Sequence, residues 1–287
     1  MKCVVAVDVG GTTMKGGLIA PDGTILHRER RPTPRAEGPE RVIAAISAFV
    51  THLSRPGEAE AVGLAVPGLV TPERAVFSAA FGWRDVPAAA FTDGALPVAL
   101  GHDVRSAGEA ELAYGSGAPD TLYLPIGTGI AGAVVLSGSL YGGAAGWAGQ
   151  IGHIPVHPGG LPCPCGQRGC LSAYASAAAI AARCGETSAE HVVRRAATGD
   201  EIAVRVWAEA VEALALALAT YTLTLDPSEI VVGGGLSLAG EALVAPLRTR
   251  LAARLTFRPA PGVRVSALGA DAGLLGAGLL GWRAAGR

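Results

Sequence analysis

Apolar positions come in short runs that stop at glycine, and the runs sort into strands and helices. Residues 3–8 read Cys-Val-Val-Ala-Val-Asp, a buried strand ending in the turn Gly10-Gly11. The stretch 14–30, "MKGGLIAPDGTILHRER", predicts two short strands around Pro21-Asp22-Gly23. Over residues 38–54 the period changes: Val42, Ile43, Ile46, Phe49 and Val50 recur at helical spacing. "AVGLAVPG" (61–68) is the next buried strand. "LPVALGHD" (96–103) is another, delivering polar residues at its C-terminal end before a helix from Arg105 to Tyr114.

The second half repeats the theme. Strands are predicted at "TLYLPIGTG" (121–129) and "IAGAVVLSG" (130–138), followed by a cysteine-rich loop. A long helix over about 199–225 stops at Asp226-Pro227. The strand "EIVVGGG" (229–235) leads into a helix from about Leu238, and "DAGLLGAGLLGW" (271–282) reads as a packed, glycine-tolerant helix returning to the first lobe. Each half holds an apolar strand followed by a Gly-Thr turn, "DVGGTT" and "PIGTG", a weak internal duplication. It predicts two α/β lobes with ligand loops at the carboxyl ends of strands. The boundary falls near residues 104–120. Residues 1–110, joined by the helix at 271–287, form the small lobe, and residues 111–270 the large one.

Composition narrows the class. At 287 residues the chain exceeds the usual single domain, and half of it is hydrophobic. A net charge of −1 offers no basic field for nucleic acid or an anionic membrane. No signal peptide is visible, and the apolar-leaning run 213–225 is too short to span a bilayer. These features predict a soluble cytoplasmic protein, where clustered thiols point to metal rather than disulfide.

Three glycine-rich turns each follow a buried strand. In "DVGGTTMK" the backbone of Gly10 and Gly11 can approach a phosphate without Cβ obstruction, the hydroxyls of Thr12 and Thr13 can donate, and Lys15 closes the stretch. Asp8 at the strand end can hold Mg²⁺ through water. Gly127, Thr128 and Gly129 supply a second cradle, and Gly233, Gly234 and Gly235 a third before a helix N-terminus. No G-x-x-x-x-G-K-[ST] occurs, and no G-x-G-x-x-G sits where a dinucleotide fold needs it. Asp103, at a strand end before a helix, reads locally as a helix N-cap.

Three of the five cysteines lie within eight residues. Cys163, Cys165 and Cys170 form C-x-C-x₄-C, ten residues behind His153. Three thiolates and one imidazole are a tetrahedral structural zinc set, and Pro162, Pro164, Gly166 and Gly169 let a short loop wrap one ion. The alternative is a reduced cysteine cluster without metal. His157 is a nearby competitor.

The two phosphate loops "DVGGTT" and "IGTG", the turn "VVGGG", the "HD" after a strand, and G-x-I-G-H…C-x-C-G-x-x-G-C occur in one order over essentially the whole chain. In that combination the sequence resembles the ROK family of sugar kinases, in the actin-like ATPase superfamily. The resemblance implies an α/β, two-lobe actin-like ATPase (ribonuclease H-like) fold, with the active-site cleft between the lobes and a structural zinc loop at 153–170. It implies ATP-dependent phosphorylation of a hydroxymethyl group, with Asp103 as catalytic base, Mg²⁺ as catalytic ion and "VVGGG" as the adenosine loop. It puts Pro67, Gly68, His102, Asp103, Gln150, His153 and Ser172 on the acceptor side. His153 then serves twice, as metal ligand and as sugar-facing imidazole, with His157 left in exposed loop. A homodimer or homotetramer is the implied assembly.

The acceptor shell departs from the family's glucokinases. They typically read N-D where this chain has His102-Asp103, E-x-G-H where it has Gln150-Ile151-Gly152-His153, and C-L-E where it has Cys170-Leu171-Ser172. An asparagine common before "GW" is replaced by Ala80. Two carboxylates that would accept from ring hydroxyls are missing, each such charge-assisted bond being worth about 1.5–3 kcal/mol. The expected acceptor is therefore not strictly glucose but a neutral, modified one: an N-acylated hexosamine such as N-acetylmannosamine, another epimer, or a sugar-like cyclitol. Polyphosphate is an alternative donor. Rival readings are a catalytically silent sugar-binding protein and a ROK repressor. The repressor is disfavoured because the first phosphate loop begins at residue 8, before any winged helix. Another actin-like ATPase or an acyl-phosphate kinase leaves the cysteine motif unexplained.

Overall fold

In the computed structural model, residues 2–55, 58–115 and 117–287 are described. The chain divides into two compact units, Met1–Tyr114 with Asp271–Arg287, and Gly115–Ala270.

The first unit is built on strands β1 (Cys3–Val9), β2 (Thr13–Ile19), β3 (Ile25–Pro32), β4 (Ala59–Val66) and, later in the chain, β8 (Val98–His102). They form one sheet in the order β3-β2-β1-β4-β8. β1 pairs antiparallel with β2 and parallel with β4, which pairs parallel with β8. Between β3 and β4 runs α1 (Pro39–Ser54), which buries Val42, Ile46, Phe49, Val50 and Leu53. Those positions lie on one face of a 3.6-residue period, and each large side chain contributes about 1.5–3 kcal/mol. Between β4 and β8 a second sheet interposes: β5 (Leu69–Thr71), β6 (Arg74–Ser78) and β7 (Trp83–Pro87). Its anchor is Trp83, buried with ring centres 4.6 Å from Phe81 and 5.1 Å from Phe91.

β8 passes without a loop into α2 (Asp103–Tyr114), two residues earlier than the sequence predicts.

The second unit's sheet comprises β9 (Thr121–Pro125), β10 (Ala133–Leu136), β11 (Ser139–Tyr141), β12 (Glu229–Gly233) and β13 (Gly262–Val265) in the order β11-β10-β9-β12-β13. This is the first sheet's plan again: an antiparallel meander of three strands, then two strands added in parallel to its first. The strands predicted at 121–129 and 130–138 are both shorter than expected, because residues 127–129 turn between Ile126 and Ile130, which bridge each other.

The short helices α3 (Ser172–Ala175), α4 (Ala177–Arg183) and α5 (Ala189–Ala197) precede α6 (Glu201–Leu225). Asp200 caps α6 by accepting from the Ala203 amide, and Asp226 ends it in a left-handed conformation. The helix expected from Leu238 is a 3₁₀ turn over Gly235–Ala239, and α7 (Glu241–Arg254) starts only after Gly240.

The last helix, α8 (Ala272–Ala284), belongs to the first unit and packs on α2, β4, β1 and β8. Its glycines are contact points. A Cβ on Gly63 of β4 would fall 1.8 Å from the Ala277 carbonyl oxygen, and one on Gly281 would fall 2.9 Å from Val4 Cβ. Among the described residues no helix is long and apolar enough to cross a membrane.

Candidate active site

The first unit gathers two carboxylates. Asp8 is the last residue but one of β1, just before the chain turns through Gly10 and Gly11, and the Gly10 amide donates to the Thr13 carbonyl at 3.1 Å. Gly11 and Thr12 are exposed, and a Cβ on Gly11 would meet nothing within 4 Å, so the turn is open. Thr33, which the sequence did not single out, pins the turn from behind. Its hydroxyl donates to the Gly10 carbonyl at 2.7 Å and its amide to the Thr12 carbonyl at 3.0 Å. Thr33 lies 23 residues from Gly10 and reaches it because β3 pairs with β2.

Lys15 Nζ lies 3.5 Å from Asp8 Oδ2. Burial nevertheless outweighs Lys15 and, with the charge of Asp103 adding in the same sense, pushes the Asp8 carboxyl up to about 6. The cause of close packing around it is α8: a Cβ on Gly273 would sit 2.3 Å from Asp8 Oδ2. A carboxylate this poorly neutralised, beside an open glycine turn, fits a cation carrying phosphate.

Asp103 is the first residue of α2, and its Oδ1 accepts from the Val104 amide at 2.8 Å. The helix-capping contact expected of Asp103 falls instead to its neighbour: the Arg105 amide donates to His102 Nδ1 at 3.4 Å. The reason is that the strand ends one residue before the helix begins, so His102, not Asp103, occupies the flanking position. Burial lowers the pKa of His102 and of Arg105, and Asp103 opposes both shifts. In the same unit Pro67 and Gly68 follow β4. Gly68 has φ +127°, and a Cβ there would collide with the Phe77 carbonyl oxygen at 2.2 Å.

The second unit brings the other two glycine turns together. The Ile126 amide donates to the Gly233 carbonyl and the Leu236 amide to the Ile126 carbonyl, both at 3.0 Å. Gly234 has φ +72°, with no room for a Cβ against Ile126. Gly127, Gly129 and Gly235 are open, and Thr128 is exposed between its glycines. The segment leading to the histidine docks just past the first of these turns: Gly132 donates to the Gly149 carbonyl at 2.7 Å. Gln150 and Ser172 are half-buried, and Ser172 Oγ would lie 2.4 Å from a Cβ on Gly152. The neutral serine thus sits directly under the Gly152-His153 backbone.

His153, Cys163, Cys165 and Cys170 converge so that one ligand atom from each lies within 4.8 Å of all the others. Cys163 Sγ is 3.8 Å from His153 Nδ1, and Cys165 Sγ is 3.7 Å from Cys170 Sγ. A tetrahedral zinc with ~2.3 Å thiolate bonds sets ligand separations of about 3.8 Å, so the donor set and spacing fit that ion. Burial pushes the Cys170 thiol up to about 12, with the neighbouring thiols adding to it, while the Gln167 amide lowers Cys165. A buried thiol so resistant to ionisation needs a cation before it becomes a ligand. The loop closes through Gly166 (φ +92°) and Gly169 (φ +80°). The Cys163 amide donates to Gln167 at 2.9 Å and Gly169 to Leu161 at 2.8 Å. His157 stays outside the cluster, exposed, with its ring 4.5 Å from that of Tyr174.

Comparison with known proteins adds family and fold. The ROK family model matches residues 4–283. A glucokinase of Thermotoga maritima is 35% identical, with 96% of this chain and 95% of that one aligned. An N-acetylmannosamine kinase of Escherichia coli O157:H7 is also 35% identical, covering 96% of this chain and 97% of the other. Among solved structures, a ROK family glucokinase from Streptomyces griseus in complex with glucose and AMPPNP superposes with a TM-score of 0.86 at 30% identity, over 98% of this chain and 99% of that one.

Proposed function

The chain belongs to the ROK family, and from that premise we propose that it is an ATP-dependent carbohydrate kinase in which Asp103 deprotonates the primary hydroxyl of a sugar or sugar-like cyclitol. The observation that carries the assignment is the pairing of carboxylates in the first unit. Asp103 stands close enough to Asp8 for its charge to bear on that carboxyl, and Asp8 adjoins the open Gly10-Gly11 turn.

The roles follow from what phosphoryl transfer requires: positioning, charge neutralisation and an acceptor for the attacking hydroxyl's proton. The amides of Gly10, Gly11, Gly127 and Gly129, the hydroxyls of Thr12, Thr13 and Thr128, and the Lys15 ammonium bind phosphate oxygens. Gly233, Gly234 and Gly235 form the backbone turn beside the nucleoside. Asp8 is the residue that would hold Mg²⁺, and the ion, when bound, would supply charge neutralisation on the phosphates. Asp103 takes the proton of the acceptor hydroxyl onto its carboxylate as that oxygen bonds to phosphorus.

His153 and the three thiolates would hold zinc, which would supply structure and no chemistry, because four protein ligands would leave no open position. Fixing Nδ1 also fixes the ring, so Nε2 of His153 faces the acceptor in one orientation.

The neutral groups Gln150 and Ser172 favour an acceptor that asks for no carboxylate, above all an N-acylated hexosamine. The 35% identity to an N-acetylmannosamine kinase supports this reading, and the equal identity to a glucokinase keeps glucose as the comparison substrate. Pro67, Gly68 and His102 complete the acceptor side. The cysteines, reduced and metal-bound in this reading, suit a cytoplasmic setting. Assembly as a homodimer or homotetramer follows from the family alone, and light scattering tests it.

The experiment is ADP release, with ATP or polyphosphate as donor, across glucose, mannose, N-acetylmannosamine, N-acetylglucosamine, kanosamine and a C7 cyclitol. Asp103→Asn is expected to lower kcat by roughly 10²–10⁴-fold while leaving nucleotide binding intact. Normal turnover by that variant defeats the assignment of the base, and comparable kcat/KM on glucose defeats the reading of Gln150 and Ser172. No ADP release with any acceptor favours the silent sugar-binding alternative.

A further inference from the structure

His102 stands where β8 becomes α2, with its side chain 13% exposed. Its Nδ1 has two partners that require opposite protonation states. The Arg105 amide, 3.4 Å away, is a donor and needs a lone pair on that nitrogen. Asp103 Oδ1, 3.2 Å away and already accepting from the Val104 amide, is an acceptor and needs a proton there. One nitrogen cannot satisfy both at once.

We propose that His102 is the positioning residue for Asp103, capping α2 through an unprotonated Nδ1 when the carboxylate is free to act, and donating from Nδ1 to Asp103 when a second proton binds. The inference rests on the reading of Asp103 as base. In the neutral ring the single proton is on Nε2, and the helix is held by its third amide. Uptake of a solvent proton at Nδ1 breaks that bond and forms an imidazolium–carboxylate pair. A carboxylate held that way is a weaker base toward an alcohol.

The surroundings contain little else that titrates. On α2 itself, Asp103 favours the charged ring and Arg105 opposes it, while burial favours the neutral form. β5 and the turn Ala88–Phe91 have no ionisable side chain. β4 has only Glu60, at the end remote from its Val66–His102 pairing. α8 has only Arg283, which pairs with Glu109. Neither Asp8 nor Lys15 is among the charges acting on the ring; Asp8 instead feels Lys15 and Asp103.

His102→Asn tests this, because asparagine caps helices well and does not titrate here, and a change in acceptor affinity scales a pH profile without moving its limb. The quantity to read is kcat/KM against pH between 4.5 and 8.5, each profile normalised to its own value at pH 8, with N-acetylmannosamine and glucose as probes. The acid limb of His102→Asn is expected to lie at least ~0.5 pH unit below that of the unmodified enzyme. Superimposed limbs overturn the proposal.

A second measurement needs neither turnover nor that variant. Ring ¹⁵N NMR of the full chain should show His102 as the Nε2–H tautomer at pH 8, and Asp103→Asn should lower the pH at which it titrates. An Nδ1–H tautomer, or a titration unmoved by Asp103→Asn, overturns the proposal as well. Absence of turnover in the unmodified protein at every pH would instead count against the kinase reading, and the NMR result still decides the role of His102.

Discussion

Asp8 shows how one residue can cost stability in the service of a site. Its carboxyl, raised by burial to about 6 from the usual 3.8, takes up protons in the folded state at pH values where the unfolded chain has lost them. Folding is therefore disfavoured progressively as pH rises from about 4 to 6, and the full cost is present above pH 6. Two pKa units correspond to about 3 kcal/mol at most. Asp8→Asn is thus expected to raise the melting temperature of the ligand-free protein at pH 7.5, to lose that advantage below pH 4, and to lose kinase activity. Equal melting temperatures at pH 7.5 would show that the carboxylate is better solvated than its packing against Gly273 indicates. A sequence reader finds Asp8 from the glycines behind it, but Gly273 is 265 positions away. Nothing in "DAGLLGAG" tells which of its glycines makes room for a carboxylate.

Among the elements, the cysteine loop is the most legible, since thiols and imidazole at short spacing have few uses besides metal binding and the prolines and glycines between them allow the wrap. The converse cases are β5 to β7. They are three to five residues long, interrupted by exposed positions, and held by Trp83 against Phe81 and Phe91 rather than by any strand-length period. α2 begins earlier than the sequence predicts for a related reason. A strand that runs directly into a helix leaves no punctuation, and the capping atom came from the histidine. If the four ligands hold zinc, the protein should contain about one equivalent per chain. Cys170→Ser or exhaustive chelation should then lower the melting temperature by roughly 5–15 °C, because metal bound only by the folded loop stabilises it. Full-length protein with no metal and an unchanged melting temperature on chelation would refute the site.

At the scale of the whole molecule, the first unit is discontinuous, closed by the last seventeen residues of the chain, Asp271–Arg287. Leu274, Leu275, Leu280 and Trp282 of α8 are almost fully buried. At about 1.5–3 kcal/mol each they contribute roughly as much as the entire net stability of a typical domain. A chain ended at Ala270 is expected to be insoluble or to lose the cooperative melting of the first unit, and a soluble truncation with unchanged melting would contradict that packing. The sequence by itself determined the longer strands and helices of both halves, the three glycine turns, the grouping of His153 with three cysteines and the family, because each is written in local period or short spacing. Tertiary structure alone decided that Thr33 braces the first turn, that Gly273 abuts Asp8, that Ser172 underlies Gly152, and that the Arg105 amide goes to His102 rather than to Asp103. Those contacts join residues remote in the chain, or turn on a one-residue boundary, and only the register of packed strands and helices fixes them.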